Sequence, residues 1–234
     1  MIFHNVLAID TSLAPGGVAA RGSADRVAER VLPEAGEHAR LLAAAVSRVA
    51  ADAGWPLAAT EVVVVVTGPG SFTGLRVGVA TAKAIAWSTG SSLVGVSACE
   101  AIAVGTAAAL GRTTAPVHVA FDAGRGELFV ARVVPTAASP SGWAVEPGRL
   151  VTTAAWPETL PAGAIVSGPG LALVAEVIAA RPDVTVAPAT AWRPATGDLI
   201  RIGRGRAAAG VVDDPAALVP EYVRPSYADE QAGS

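Results

Sequence analysis

The 234-residue chain contains little cysteine, histidine or charge, and each shortage excludes a class of protein. The single cysteine, Cys99, cannot form an internal disulfide and suits a reducing compartment. The three histidines form no His-x-x-x-His pair, and no Cys-x-x-Cys pair occurs, so no metal site is predicted. Charged residues make up 16% and the net charge is −3, which gives no indication of a basic face for nucleic acid.

Hydrophobic residues are abundant instead, at 52%, which is enough for a sizeable core. One apolar stretch, residues 84–111, holds a single charge, Glu100. It consists mostly of Ala, Gly, Ser and Thr, which partition weakly into lipid, so we expect a helix, a strand and a second helix rather than a membrane span. The opening MIFHNVLAID lacks the basic start and cleavage site of a signal peptide, and we expect a cytoplasmic protein.

Hydrophobic periodicity predicts an α/β protein. Residues 61–66 do not alternate, so this strand should be buried on both faces. Residues 135–163 should form loops and short strands. The predicted strands lie near 3–9, 18–22, 26–32, 61–66, 93–96, 117–121, 127–134 and 164–167. The predicted helices lie near 37–53, 73–88, 98–110, 171–180 and 197–209.

Two patterns recur in the same order in both halves of the chain. NVLAIDTSLAPGGVAARG and VHVAFDAGRGELFVARVV each show a strand, an aspartate, a glycine-containing turn and a second strand. VVVVVTGPGSFTGLRVGVA and AIVSGPGLALVAEVIAA each show a strand, Gly-Pro-Gly and a helix. This order predicts a duplicated α/β unit.

Several segments resemble the TsaB (YeaZ) family: AIDTS, GPGSFTGLRVGVATAKAIA, FDAGRGELFVA and PEYVR. The resemblance implies the actin/sugar-kinase/Hsp70 fold, with two ribonuclease-H-like units of mixed sheets and helices. It implies a first subdomain over residues 1–111 and a second over residues 112–214. The tail, residues 215–234, is expected to pack back on the first.

The resemblance also implies a function in tRNA modification. A protein of this family would be the non-catalytic subunit for threonylcarbamoyladenosine synthesis beside the anticodon. It would bind and position a TsaD-type catalytic subunit, together with a TsaE-type ATPase. ATP and metal are expected in the partner and none in this chain, and tRNA would be contacted indirectly. A homodimer in isolation stays open, as do two other activities: an ATP-dependent small-molecule kinase of the same fold and a glycoprotease-like metallopeptidase.

Five residues at the strand–turn repeats form a candidate nucleotide site: Asp10, Thr11, Gly16, Gly17 and Asp122. In kinase-like relatives of the implied fold, an acidic residue here serves Mg²⁺ and the glycine turn wraps phosphate. The alternative is that both aspartates accept hydrogen bonds from their own turns, as aspartate commonly does.

A glycine-rich loop follows the predicted strand 61–66 and comprises Gly68, Pro69, Gly70, Ser71, Thr73 and Gly74. It lacks the Gly-Lys-Ser/Thr ending of a Walker A loop. Its glycines also miss the spacing of the dinucleotide fingerprint. The loop is therefore either a tight turn that brings the next helix close to the sheet or an anion site at a helix N-terminus.

Small residues recur every four positions in the following helix, at Gly74, Gly78, Ala82 and Ala86. Such a ridge permits the close approach of another backbone, either from this protein's own sheet or from another chain. We predict that helices 37–53 and 73–88 lie side by side and form a docking surface. The predicted interface residues are Leu41, Leu42, Leu75, Arg76, Gly78, Val79, Ala82 and Lys83.

Overall fold

In the computed structural model, residues 2–32, 38–111 and 114–224 are described, and they form two sheets with helices. The strands are β1 (Val6–Asp10), β2 (Gly16–Arg21), β3 (Val27–Leu32), β4 (Val62–Gly68), β5 (Ser92–Ser97), β6 (Val117–Gly124), β7 (Glu127–Pro135), β8 (Trp143–Val145), β9 (Arg149–Thr152), β10 (Ile165–Ser167) and β11 (Thr185–Val186). The helices are α1 (His38–Asp52), α2 (Phe72–Thr89), α3 (Ala98–Leu110), α4 (Trp156–Thr159), α5 (Ala175–Ala179) and α6 (Thr196–Ala208).

The first sheet has the order β3-β2-β1-β4-β5, with an antiparallel β1–β2–β3 meander and parallel β1, β4 and β5. Every residue of β4 is buried, as its unbroken apolar run predicts. Val63 and Val65 face a core formed with α1 and α2. Val62 and Val64 face the opposite core, which contains residues of α3 and α6. Helices therefore cover both faces.

The second sheet repeats this arrangement. Strands β6 and β7 form an antiparallel hairpin, and β10 lies parallel to β6, just as β4 lies parallel to β1. Strand β7 also pairs with the short strands β8 and β9, and β11 lies at the far edge beside β10. The duplicated ribonuclease-H-like unit and the fold class are thus confirmed.

The secondary structure differs from the prediction at two places in the second half. Instead of one helix over 171–180, a 3₁₀ helix (Pro169–Leu173) precedes the short α5. The two-residue strand β11 was not predicted, because so short a strand carries no periodicity. Residues 135–163 form short strands, loops and one short helix, close to what was expected.

Helix α6 falls within the predicted second subdomain but packs on the first sheet. It contacts β1, β2, β4 and β5, and Gly203 lies so close to Val64 that a Cβ there would overlap the valine side chain. The chain then runs back along the first sheet. The Asp213 amide donates to the Leu93 carbonyl at 2.8 Å, and the Glu221 amide donates to the Thr67 carbonyl at 2.8 Å. Residues 225–234 of the predicted tail lie outside the described part.

The apolar stretch 84–111 forms the end of α2, strand β5 and helix α3, which is the predicted alternative to a membrane span. Within the described residues, no helix has the length and apolar character that crossing a membrane requires.

Candidate functional site

The turn between β1 and β2 holds the first half of the candidate nucleotide site. Asp10 ends β1 and is buried. Its Oδ1 accepts hydrogen bonds from the Ser12 amide at 2.8 Å and from the Ser12 hydroxyl at 2.6 Å. The carboxylate therefore stabilises its own turn, which is the local role that aspartate often has.

Burial raises the pKa of Asp10 to about 6, although the hydrogen bonds from Ser12 and the charge of Arg193 act in the opposite direction. The Arg193 guanidinium donates to the Ala14 carbonyl and so sits across this turn. A carboxyl in such a place is protonated more readily than in water, because removal from solvent disfavours the charged form.

This raised pKa predicts that the protein loses stability as the pH rises from about 4 to about 6. The folded state keeps the Asp10 proton in that window while the unfolded chain, with a pKa of about 3.9, has released it. The loss should be about 3 kcal/mol by linkage. Between pH 4 and pH 6, this effect lowers the melting temperature of the wild type. Asp10→Asn lacks the effect, so its melting temperature should fall by roughly 6–12 °C less over the same range.

Thermal melts of the two proteins between pH 4 and pH 7 provide the measurement. Asp122→Asn is the matched control, since this exposed aspartate occupies the corresponding turn of the second half. Because Asp122 lies outside the buried turn of Asp10, this variant should keep the Asp10-dependent loss of stability between pH 4 and pH 6. Parallel curves for Asp10→Asn and the wild type would contradict the assignment.

The glycine-rich loop packs directly on the β1–β2 turn. The Ser71 amide donates to the Ser12 carbonyl at 2.7 Å, and the Thr11 hydroxyl donates to the Gly74 carbonyl at 2.7 Å. A Cβ at Gly70 would overlap the Ser12 carbonyl. Close approach of two backbone segments therefore explains the glycines.

The start of α2 is capped from within the loop. Ser71 is the N-cap, and its hydroxyl accepts from the Gly74 amide at 3.3 Å. Gly68, with φ +137°, sits against the Glu221 backbone, where a Cβ would overlap the carbonyl oxygen. The loop is thus a tight turn held between the β1–β2 turn and the C-terminal part of the chain. This geometry supports the predicted role of the loop as a tight turn that brings α2 close to the sheet.

Gly16 and Gly17 do not form a free phosphate turn. Both lie in β2, and Gly17 is paired with Asp10 on one side and Val31 on the other. A Cβ at Gly17 would meet the Thr196 methyl at 3.1 Å. The missing side chain of Gly17 makes room for the N-terminus of α6.

Asp122 has its own local partner as well. Its Oδ1 accepts from the Gly124 amide at 2.7 Å, and the side chain is exposed. The structure therefore brings Asp10, Thr11 and the glycine-rich loop together, while Asp122 stabilises the β6–β7 turn. The Ser12 amide already donates to the Asp10 carboxylate, and the Thr11 hydroxyl and the Ser12 carbonyl already bond to the glycine-rich loop, so these groups are engaged within the chain.

The small-residue ridge of α2 faces inward, so its predicted place in the docking surface is wrong. Gly78 lies against Thr11 and Val65, and a Cβ there would overlap the Thr11 hydroxyl. Five of the predicted interface residues are buried: Leu42, Leu75, Gly78, Val79 and Ala82. Leu41 is half-buried against the same core. The ridge lets α2 approach the sheet closely, so it offers no surface to another chain.

Arg76 and Lys83, the other two predicted interface residues, do point outward and in a common direction. Both contact what we call the C-terminal segment, residues 213–224. The Arg76 Nε donates to the Tyr222 hydroxyl at 2.9 Å, and its guanidinium lies 3.9 Å from the Phe72 ring centre. The Lys83 ammonium donates to the Leu218 carbonyl at 3.0 Å. One signal for this role is visible in the sequence, the PEYVR motif.

The C-terminal segment also reaches the second sheet. Arg224 forms an ion pair with Glu127 at the start of β7. Tyr222 stacks on Phe72 with ring centres 4.7 Å apart. One short segment thus connects the first turn of α2 to the β6–β7 hairpin. Sequence reasoning missed these contacts because they join residues about 100 or more positions apart.

Helices α1 and α2 lie side by side, as predicted, and pack on the same face of the first sheet. Their exposed sides carry small residues, the arginines Arg40, Arg48 and Arg76, and the large aromatic side chain of Trp87. We call this surface the α1–α2 face; it comprises Ala43, Ala44, Ala51, Ala80, Ala84 and Trp87. Trp87 is 65% exposed, which is unusual for a side chain with so much apolar area.

Cys99 and His118 also have pKa values that burial shifts. Burial raises the pKa of the Cys99 thiol to about 12, so the reactive thiolate is disfavoured. Burial also lowers the pKa of His118 on β6. Among the described residues, no group of three His, Cys, Asp or Glu side chains could hold a metal ion.

Comparison with known proteins links this fold to a family. The family model described as TsaD, tRNA N6-adenosine threonylcarbamoyltransferase, matches residues 29–139. YeaZ from Pseudomonas aeruginosa superposes with a TM-score of 0.74 at 22% identity, covering 93% of this chain and 100% of that structure.

Curated relatives extend the match along the sequence. The uncharacterized protein Rv3421c of Mycobacterium tuberculosis is 33% identical over 221 residues, 94% of this chain and 91% of its own. The uncharacterized protein ML0378 of Mycobacterium leprae is 37% identical over 195 residues, and the match spans only 52% of that relative's length. The TsaB protein of Bacillus subtilis, named for tRNA threonylcarbamoyladenosine biosynthesis, is 34% identical over 125 residues, 53% of this chain and 52% of its own. In sequence and fold the chain is similar to proteins of the TsaB (YeaZ) family.

Proposed function

We propose that this chain is the non-catalytic TsaB-type subunit in the synthesis of threonylcarbamoyladenosine on tRNA. It binds and positions a TsaD-type catalytic subunit in the cytoplasm, and a TsaE-type ATPase joins the complex. ATP and metal belong to the partner, and tRNA contacts this chain only indirectly. Similarity to the TsaB family supports the pathway, as does the B. subtilis relative named for threonylcarbamoyladenosine biosynthesis.

The α1–α2 face is the observation that carries the partner role. Exposed alanines on two adjacent helices allow a second pair of helices to approach closely. Trp87 adds the kind of large aromatic anchor in which interfaces are enriched. We place the TsaD-type subunit on this face. The same face is the candidate contact for a homodimer in isolation.

The hydrogen bonds that the β1–β2 turn already makes within the chain support the absence of intrinsic catalysis in this proposal. Kinase-like chemistry needs free backbone donors and a carboxylate that faces a metal–phosphate complex. Here the Asp10 carboxylate is bonded to Ser12, and the Ser12 carbonyl and Thr11 hydroxyl are bonded to the glycine-rich loop.

Reconstitution with purified TsaD-type and TsaE-type proteins of the same organism, tRNA and the threonylcarbamoyl-adenylate donor tests the proposal. Modification of tRNA should require this chain, and the chain alone should not hydrolyse ATP. Asp10→Asn should support modification as well as the wild type does. Substantial ATP turnover by the isolated chain, abolished in Asp10→Asn, would instead establish the kinase alternative.

A further inference from the structure

A groove lies between helix α6 and the edge of the first sheet at which β1 begins. It has a volume of about 580 Å³, within the range of roughly 300–1,000 Å³ that is usual for small-molecule sites. Three arginines line it: Arg21 from the end of β2, and Arg201 and Arg204 from α6. We call it the arginine groove.

The periodicity of α6 places both of its arginines on the groove. Leu199 and Ile202 are buried against the first sheet. Arg201 and Arg204, three positions apart, project from the other side of the helix. The Arg204 Nε donates to the Phe3 carbonyl at 3.1 Å, which fixes its guanidinium at the groove wall.

Among the described residues, the positive charges of the groove are incompletely balanced. Arg21 pairs with Asp25, but that carboxylate is 80% exposed, and such a pair is weak. Arg201 pairs with Asp198 at 3.1 Å. Neither aspartate lines the groove.

Arg21 and Arg204 also repel one another. Burial and the neighbouring charge of Arg204 both lower the pKa of Arg21. Two like charges held together in a partly buried groove are destabilising unless an anion lies between them. The arrangement therefore favours a ligand with negative charge.

The walls of the groove are apolar and suit more than a bare anion. Phe3, Val27 and Ile200 line it beside the arginines. Gly197 leaves further space, because no atom of the described part of the chain would lie within 4 Å of a Cβ placed there. A ligand with a planar or apolar part next to its charged group would bury that part here.

We propose that the arginine groove binds a phosphate-bearing ligand with a planar organic part, of mononucleotide size. Guanidinium groups match phosphate through paired N–H donors, and the apolar walls accept a base. The phosphate can come from a free nucleotide or from a nucleotide within a nucleic acid. No residue of α1 or α2 lines this groove, so the site is independent of the proposed TsaD-type interface.

Binding of AMP, measured by isothermal titration calorimetry on the full chain, tests the proposal, with adenosine and a single-stranded RNA oligonucleotide as comparison probes. AMP should bind and adenosine should not. Arg204→Glu should weaken AMP binding by at least about tenfold, as expected for loss of a charged hydrogen bond. Gly197→Leu should weaken it similarly by filling the groove without changing the charge.

Arg149→Glu is the matched control, because Arg149 is an exposed arginine on β9, outside the groove. It should leave AMP binding unchanged. If Arg204→Glu does not fold, Arg201→Glu replaces it as the charge-reversal variant of the groove. Binding of the RNA but not of AMP, with the same sensitivity to Arg204→Glu and Gly197→Leu, would identify a nucleic acid as the source of the phosphate. The proposal is overturned if neither AMP nor the RNA binds, or if adenosine binds as well as AMP. It is also overturned if the groove variants bind like the wild type.

Discussion

Replacing Gly78 with leucine should unfold the protein or leave it severely destabilised. The new Cβ would overlap the buried Thr11 hydroxyl, and the rest of the side chain would be forced toward Val65 in β4. Overpacking of this kind costs about 3 kcal/mol or more when neither neighbour can move. The melting temperature should fall by roughly 6–12 °C at least, as measured by differential scanning calorimetry.

Ala80→Leu is the matched control, since Ala80 lies two residues further along α2 on its exposed side. This variant should melt within about 2 °C of the wild type, because surface substitutions usually change stability by less than 0.5 kcal/mol. If Gly78→Leu melted like Ala80→Leu, the inward packing of the ridge would be wrong. The two variants together therefore report which side of α2 faces the sheet.

The direction of this ridge is the point at which sequence reasoning failed. A repeat of four positions shows that Gly74, Gly78 and Ala82 share one side of the helix, but small residues suit close packing on either side. The charged residue Arg76 provided a signal. It lies two positions from Gly78, about 200° around the helix, and its exposure places the ridge on the buried side.

The fold itself was largely predictable because its signals are local. The unbroken valine run of β4 gave a strand buried on both faces, and the repeated strand–turn–strand pattern gave the duplication. The local hydrogen bonds of Asp10 and Asp122 were among the predicted alternatives, since turn chemistry is set by neighbouring residues.

Long-range packing was not predictable from such patterns. The contact between Arg76 and Tyr222, and the position of Thr196 against Gly17, join distant parts of the chain. Helix α6 shows the same limit. Its apolar side was evident from the periodicity, but either sheet could have covered it, and it is the first sheet that does.

Substitutions on the exposed side of α2 should have the largest effect on assembly with the TsaD-type subunit. Ala80→Glu introduces a charge into the α1–α2 face, where the proposed TsaD-type subunit would exclude water. An uncompensated buried charge costs about 3–5 kcal/mol, so affinity for that subunit should fall by roughly 100-fold or more. Trp87→Ala should weaken binding by at least about tenfold through loss of an aromatic anchor.

Surface plasmon resonance against the immobilised TsaD-type subunit measures both variants, and thermal melts establish that they fold. Stability should be retained, because alanine and glutamate are both good helix formers and position 80 is exposed. The matched control is Ala179→Glu, which places the same charge on an exposed alanine of α5 in the second half of the chain. Wild-type affinity is expected for that control. Should folded Ala80→Glu and Trp87→Ala also bind like the wild type, the TsaD-type subunit does not dock on the α1–α2 face.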